Sequence, residues 1–229
     1  DIGTKAEITG WAHNLGAKVQ NMVLSSQFRC NGSDGFLAWL DNVLQIRPTA
    51  TDTIREINYD FRVVDSPALI HKEITEKNIL NNKSRMVAGY CWKWISKNSP
   101  DLKDIIIGDY TATWNLSLHG QSWIIHPDSV KEVGCIHTCQ GLELEYVVVI
   151  IGPDLVVRDG KILTDAMKRA NTDQSLKGLK SMMKVDPERA KKLADRIIKN
   201  TYRTLMTRGM KGCYIYSTDP ETQIYIKSQ

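Results

Sequence analysis

The chain has 229 residues, 42% of them hydrophobic, and a formal net charge of +4. That is apolar material enough for one large or two small domains with a buried core, while the charge is too small to establish a nucleic-acid partner by itself. No run of about 18 apolar residues occurs and the opening DIGTKAEITG lacks a signal-peptide pattern, so a cytoplasmic chain with no membrane contact is expected. It does not start with Met and reads as part of a longer protein. Five cysteines, odd in number and without a Cys-x-x-Cys pair, argue against a disulfide framework and for buried thiols. Cys135, His137 and Cys139 alternate in a way that could mimic a zinc site, but no second ligand pair has metal spacing, and no metal site is expected.

In chain order, residues 1–20 form no clear element; they read as a boundary segment left from a preceding domain, with Trp11 as the one strong anchor. Residues 21–229 read as a single domain. A short strand over 21–28 runs into a polar stretch from Arg29 to Gly35. A helix follows whose stripe is Phe36, Leu37, Leu40, Val43 and Leu44, ending before Pro48. Residues 59–64 predict a strand. Ser66 and Pro67 then supply the N-cap and first position of a helix to about Asn81. Residues 85–92 suit a central strand, and 105–107 and 111–116 two further short strands around Gly108-Asp109. Trp114 and Trp123 flank a polar stretch. They either pack on the sheet or stack a base, which makes Trp114 a candidate nucleic-acid contact.

Residues 133–136 read as a short apolar strand, and 146–151 as the β-branched run of a strand at the centre of a parallel sheet covered on both faces. Between them lies the polar turn His137-Thr138-Cys139-Gln140-Gly141-Leu142-Glu143. Such turns meet ligands at the carboxyl ends of strands in open α/β sheets. Gly141 would allow close backbone approach, with Gln140 and Glu143 offering an amide and a carboxylate; the turn could equally be a capped connection. A hairpin around Asp159-Gly160 comes next, extending the sheet or projecting from it. The basic segment 164–184 is either a mobile insertion touching phosphates or a solvated loop. Asp186 and Pro187 start a helix with Ala190, Leu193, Ala194, Ile197 and Ile198 on one stripe, expected to end at Gly209 before a closing strand at 212–217.

Three of these stretches carry a family resemblance. The turn 137–143 followed by an apolar strand resembles motif V of superfamily 1 helicases, Gln27-Phe28-Arg29-Cys30 resembles motif IV, and the stretch 201–212, whose Thr207-Arg208 pair ends the last long helix, resembles motif VI. More narrowly the chain resembles the Schlafen-group-3-like DNA/RNA helicase domains of a bacterial family. The resemblance implies an α/β, RecA-like P-loop NTPase fold, a mainly parallel sheet flanked by helices, and within it the second of two RecA-like domains. It implies ATP and Mg²⁺ bound jointly with the first RecA-like domain, and single-stranded DNA or RNA as partner; it leaves room for a fused nuclease domain.

By the same resemblance Phe28 with Gln27 would meet the base, and Arg29 and Arg208 the γ-phosphate, where Arg208 acts as an arginine finger. Glu143 would meet the ribose, Gln140 and Gly141 would line the cleft, and His137 and Thr138 would face the nucleic-acid backbone. Arg suits the phosphate role because its planar fork makes charge-assisted hydrogen bonds. No Gly-x-x-x-x-Gly-Lys-[Ser/Thr] sequence and no strand ending in paired acids is present, so this stretch alone is expected not to hydrolyse ATP. The alternative is a nonenzymatic nucleic-acid-binding or docking domain on the same sheet. A small-molecule α/β enzyme finds no support, since no nucleophile, base and orienting acid can be assembled.

Overall fold

The structure, a computed structural model, describes residues 5–22, 30, 33–51, 53–54, 58–139, 141 and 143–229. Its centre is a five-stranded, wholly parallel sheet of β1 (Asp60–Val63), β2 (Ser84–Ala88), β5 (Val133–Gly134), β6 (Leu144–Ile151) and β9 (Gly209–Ser217), in the order β1-β9-β6-β2-β5. The β-branched run does lie at the centre, as β6, between β9 and β2. Alternate side chains of β6 serve opposite faces. Val147, Val149 and Ile151 pack with α2 (Asp34–Val43) and α5 (Pro187–Met206), while Val148 and Ile150 pack with Ile70 and Ile74 of α3 (Pro67–Ile79). Helices therefore cover both faces, an arrangement compatible with a RecA-like fold.

The local helix signals act as their chemistry dictates. Ser33 caps α2 by accepting from Phe36 N at 3.2 Å, Ser66 caps α3 by accepting from Leu69 N at 3.2 Å, and Asp186 caps α5 by accepting from Arg189 N at 3.0 Å. Proline holds the first turn of α3 and α5. α2 and α5 are then tied together through Asp41, which is only 2% exposed and pairs with Arg203 and, at 2.8 Å, with Arg47.

Several expectations need correction. Residues Lys5–Asn14 form a helix, α1, with no buried residue, so Trp11, 51% exposed, anchors nothing among the described residues. The expected strand at 21–28 falls mostly outside the described residues. The short strands β3 (Ile105–Ile107) and β4 (Tyr110–Ala112) pair antiparallel by themselves, as do β7 (Leu155–Arg158) and β8 (Lys161–Thr164) around the Asp159-Gly160 turn; neither pair extends the main sheet. Instead, the β7–β8 hairpin is held by α6 (Pro220–Ser228), with Val157 N donating to Thr222 Oγ1 at 2.8 Å and Arg158 pairing with Asp219 at 2.8 Å. No helix among the described residues is long and apolar enough to cross a membrane.

Gly209 does not terminate α5. The helix stops at Met206, and Gly209 opens β9 within a bulge, since Leu144 pairs with Gly209 but Tyr146 with Gly212. A Cβ there would lie 2.1 Å from the Gly212 carbonyl oxygen, and the Gly209 carbonyl accepts from Tyr59 at 2.8 Å. Gly209→Ala must therefore break the bulge; a loss of about 2 kcal/mol or more in urea unfolding is expected, and an unchanged midpoint would show that the bulge can relax.

Candidate nucleotide and nucleic-acid site

The turn between β5 and β6 has to travel back along the sheet. Val87 is level with both Gly134 and Val149, whereas β6 begins at Leu144, at the amino edge beside Gly209. The turn thus leaves the carboxyl end of β5 but delivers Gly141 and Glu143 to the amino ends of β6 and β9, the opposite edge from the one a general open-sheet rule predicts. Arg208 lies at that same edge, immediately before β9. Its carbonyl accepts from Leu144 N at 3.1 Å.

Cys139 forms the floor of this arrangement. It is fully buried, its burial pushes the thiol up to about 11, and the neighbouring Arg208 guanidinium pulls in the other direction. Arg208 itself is half-buried, and its Nε is buried with no hydrogen-bond partner among the described residues. The guanidinium does engage the Cys139 thiol, but a buried N–H without a partner is costly, which leaves Nε as a free donor among the described residues. Further along the turn Gly141 is exposed at φ +93° with no atom within 4 Å of its Cβ position, leaving the backbone open to approach. Glu143 is exposed, and its carboxylate makes no hydrogen bond among the described residues. Gln27, Phe28, Arg29 and Gln140 lie outside the described residues. Cys30, the last residue of the motif IV match, is buried, its Sγ 3.8 Å from the carbonyl oxygen of Thr207, the residue before Arg208.

The first half of the turn is spent differently. Thr138 folds back on the strand end, its Oγ1 accepting from Cys135 N at 2.9 Å and donating to Cys135 O at 3.2 Å. Its hydroxyl is therefore committed within the turn, as in a capped connection. His137 keeps 43% of its side chain exposed, and its Nε2 stands 3.5 Å from Asp173 Oδ1. Next to this turn a groove of about 270 Å³ opens between Ile136 and the Ile197, Asn200, Thr201 and Thr204 face of α5.

Trp114 does not offer a stacking face. It is 1% exposed, stacked on Tyr90 with ring centres 5.4 Å apart, and its Nε1 donates to Trp92 O at 3.1 Å. Trp123 is equally buried and donates to Glu132 at 2.9 Å. The packing alternative holds for both because each indole N–H finds an acceptor inside the fold.

Part of the basic segment is also an interior element. Arg169 is buried, pairing with Asp154 at 2.5 Å and with Asp173 at 2.8 Å; Asp154 in turn accepts from Tyr202 of α5, whose hydroxyl oxygen accepts from Gly152 N at 2.9 Å. This network joins the carboxyl end of β6, the segment 164–184 and α5. The available clue was the opposite-charge spacing of Arg169 and Asp173, four residues apart, in a stretch otherwise read as surplus cations. Burial alone would raise the Asp173 pKa, but His137, Arg169 and Ser175 outweigh it and hold the carboxyl well below the usual range. A carboxylate depressed in the folded state stabilises above its unfolded pKa of about 4 and loses that contribution as pH falls through the folded value. Urea unfolding between pH 5 and 2 is expected to show stability dropping with acid, and Asp173→Asn is expected to reduce that slope.

Among the described residues no group of three His, Cys, Asp or Glu side chains could hold a metal ion. All five cysteines are unbridged, and four of them are buried. No solved structure matches the chain. A relative in Saccharomyces cerevisiae strain S288c, "Uncharacterized protein YPL245W", is 27% identical over 218 residues, covering 86% of this chain and 46% of that protein. The chain thus spans about half the length of that relative. The family model described as "Schlafen group 3, DNA/RNA helicase domain" matches residues 1–219, nearly the whole chain, and the chain belongs to that family.

Proposed function

We propose that this helicase-related domain is the second RecA-like motor domain of an ATP-dependent DNA or RNA helicase or translocase. The observation that carries the reading is the convergence at one sheet edge of Gly141, Glu143 and the unsatisfied Arg208 Nε, from two motifs about 65 residues apart in sequence. A donor set of this kind fits a nucleotide: Arg208 toward the terminal phosphate, Glu143 toward a ribose hydroxyl, and the Gly141 backbone with Gln140 along the cleft. Phe28, Gln27 and Arg29 would complete it from the stretch preceding Cys30. By the family resemblance, the phosphate-binding loop and Mg²⁺ ligands would come from a first RecA-like domain.

In this reading Arg208 offsets charge on a departing γ-phosphoryl group once the two domains close on ATP. On the nucleic-acid side His137 remains a candidate contact, being exposed and cationic when protonated, while Thr138 would contribute its backbone more than its hydroxyl. The test is ATP turnover by the longer protein carrying this domain, with and without single-stranded DNA or RNA. Stimulated turnover supports the motor. A folded protein that binds nucleic acid without any turnover would move the assignment to a nonenzymatic docking domain.

A further inference from the structure

We infer that a cleft on the far side of α5 binds a small anionic amphiphile, an apolar chain or ring system ending in one carboxylate or phosphate. The cleft lies between the segment following β8, the short helix α4 (Leu179–Val185) and α5, with a volume of about 530 Å³. Its existence follows from the packing. α4 rests on α5 through a small separate core of Leu179, Ala190 and Ala194, and alanines at these helix positions leave space that larger side chains would fill.

The walls are Met167, Leu179, Met183 and Ala194, of which Met167 is 69% and Met183 38% exposed, so apolar surface remains for a ligand to cover. Methionine walls adapt to the shape of an apolar guest. The charges on the rim give the sign of its head group. Asp195 is engaged by Lys199 at 3.1 Å and by the Thr164 hydroxyl at 2.9 Å, and Asp165 caps the turn by accepting from Met167 N at 2.8 Å. Lys180 and Lys192, by contrast, have no ion pair or hydrogen bond among the described residues, one on each helical wall. An apolar slot with a few placed charges, in the range of about 300–1,000 Å³, is the form of a small-ligand site.

Two other guests fit worse. Among the described residues no aromatic side chain lines the cleft, so a nucleic-acid base has nothing there to stack on. A two-turn helix of ordinary diameter occupies on the order of 1,000 Å³, more than the space present.

Calorimetric titration of the protein with dodecanoate and dodecyl phosphate, both below their micelle concentrations, tests the inference, with dodecyltrimethylammonium as the cationic control and phosphatidylglycerol vesicles as a membrane source of the same chemistry. One equivalent of either anion should bind and the cation should not. The double reversal Lys180→Glu with Lys192→Glu should weaken binding at least about tenfold, and Ala194→Phe, which fills the slot, should remove it. Met183→Trp fills the slot from the exposed side should Ala194→Phe fail to fold. Binding of free anions without vesicle binding assigns a soluble ligand, and vesicle binding lost in the same variants assigns a lipid at the same site. Equal binding of the cationic chain, no binding of either anion, or an affinity untouched by the charge reversal would overturn the proposal.

Discussion

Arg208→Ala, introduced into the longer protein, is expected to lower nucleic-acid-stimulated ATP turnover by about a thousandfold while leaving ATP binding within a few-fold of the parent. The expectation rests on where the side chain lies. Arg208 follows the C-terminus of a helix anchored by its buried face, its carbonyl is fixed by Leu144 N, and its Nε has no hydrogen-bond partner among the described residues. Such a group can be stabilised by an anion that arrives only when the motor closes. Arg208→Lys should not restore turnover, since the ammonium lacks the planar fork. The unfolding midpoint should move little, because removing an unsatisfied buried donor also removes its desolvation cost. Turnover that survives in Arg208→Ala would dismiss the arginine-finger role, and turnover absent in every variant, parent included, would point to the docking domain.

The largest stability effect is expected at Arg169. Arg169→Met leaves Asp154, fully buried, and Asp173, nearly so, without their shared cation. Breaking a buried ion pair from one side costs about 3–5 kcal/mol, a large share of the roughly 5–15 kcal/mol that holds a domain together. With a urea m-value of about 2 kcal/mol per molar the midpoint should fall by roughly 1.5–2.5 M. Adding Asp154→Asn and Asp173→Asn to Arg169→Met should recover much of the loss, since neutral amides need no counter-charge. A midpoint shift below about 0.5 M for the single variant would mean that water reaches these carboxylates. Loss of fold, unlike loss of the finger, should lower ATP binding, turnover and the near-ultraviolet circular dichroism together, so the two variants separate a chemical role from a structural one.

What the sequence determined by itself was local. The Ser33, Ser66 and Asp186 caps, the proline first turns, the apolar stripes of α2 and α5 and the β-branched run of β6 each depend on a few neighbouring backbone angles and a period of two or 3.6 residues. The order of strand, turn and strand around 137–143, and of helix and strand around Arg208, was legible for the same reason. Only the tertiary structure decided which side chains stay available for chemistry. For Trp114 the sequence left packing on the sheet and stacking on a base both open; the segment after β2 decides for packing, closing over the ring through Tyr90 and Trp92. Arg169 counted as one more surface cation until Asp154, on the loop after β6, proved to be its partner. The turn at 137–143 reads as ligand-facing at the carboxyl edge, but the register of β5 and β6 against β2 obliges it to cross to the amino edge, where Arg208 waits. Asp41 and Arg203, paired across 162 residues, make the same point: which distant groups meet is settled by strand order and register, and these emerge from the packing of the whole core.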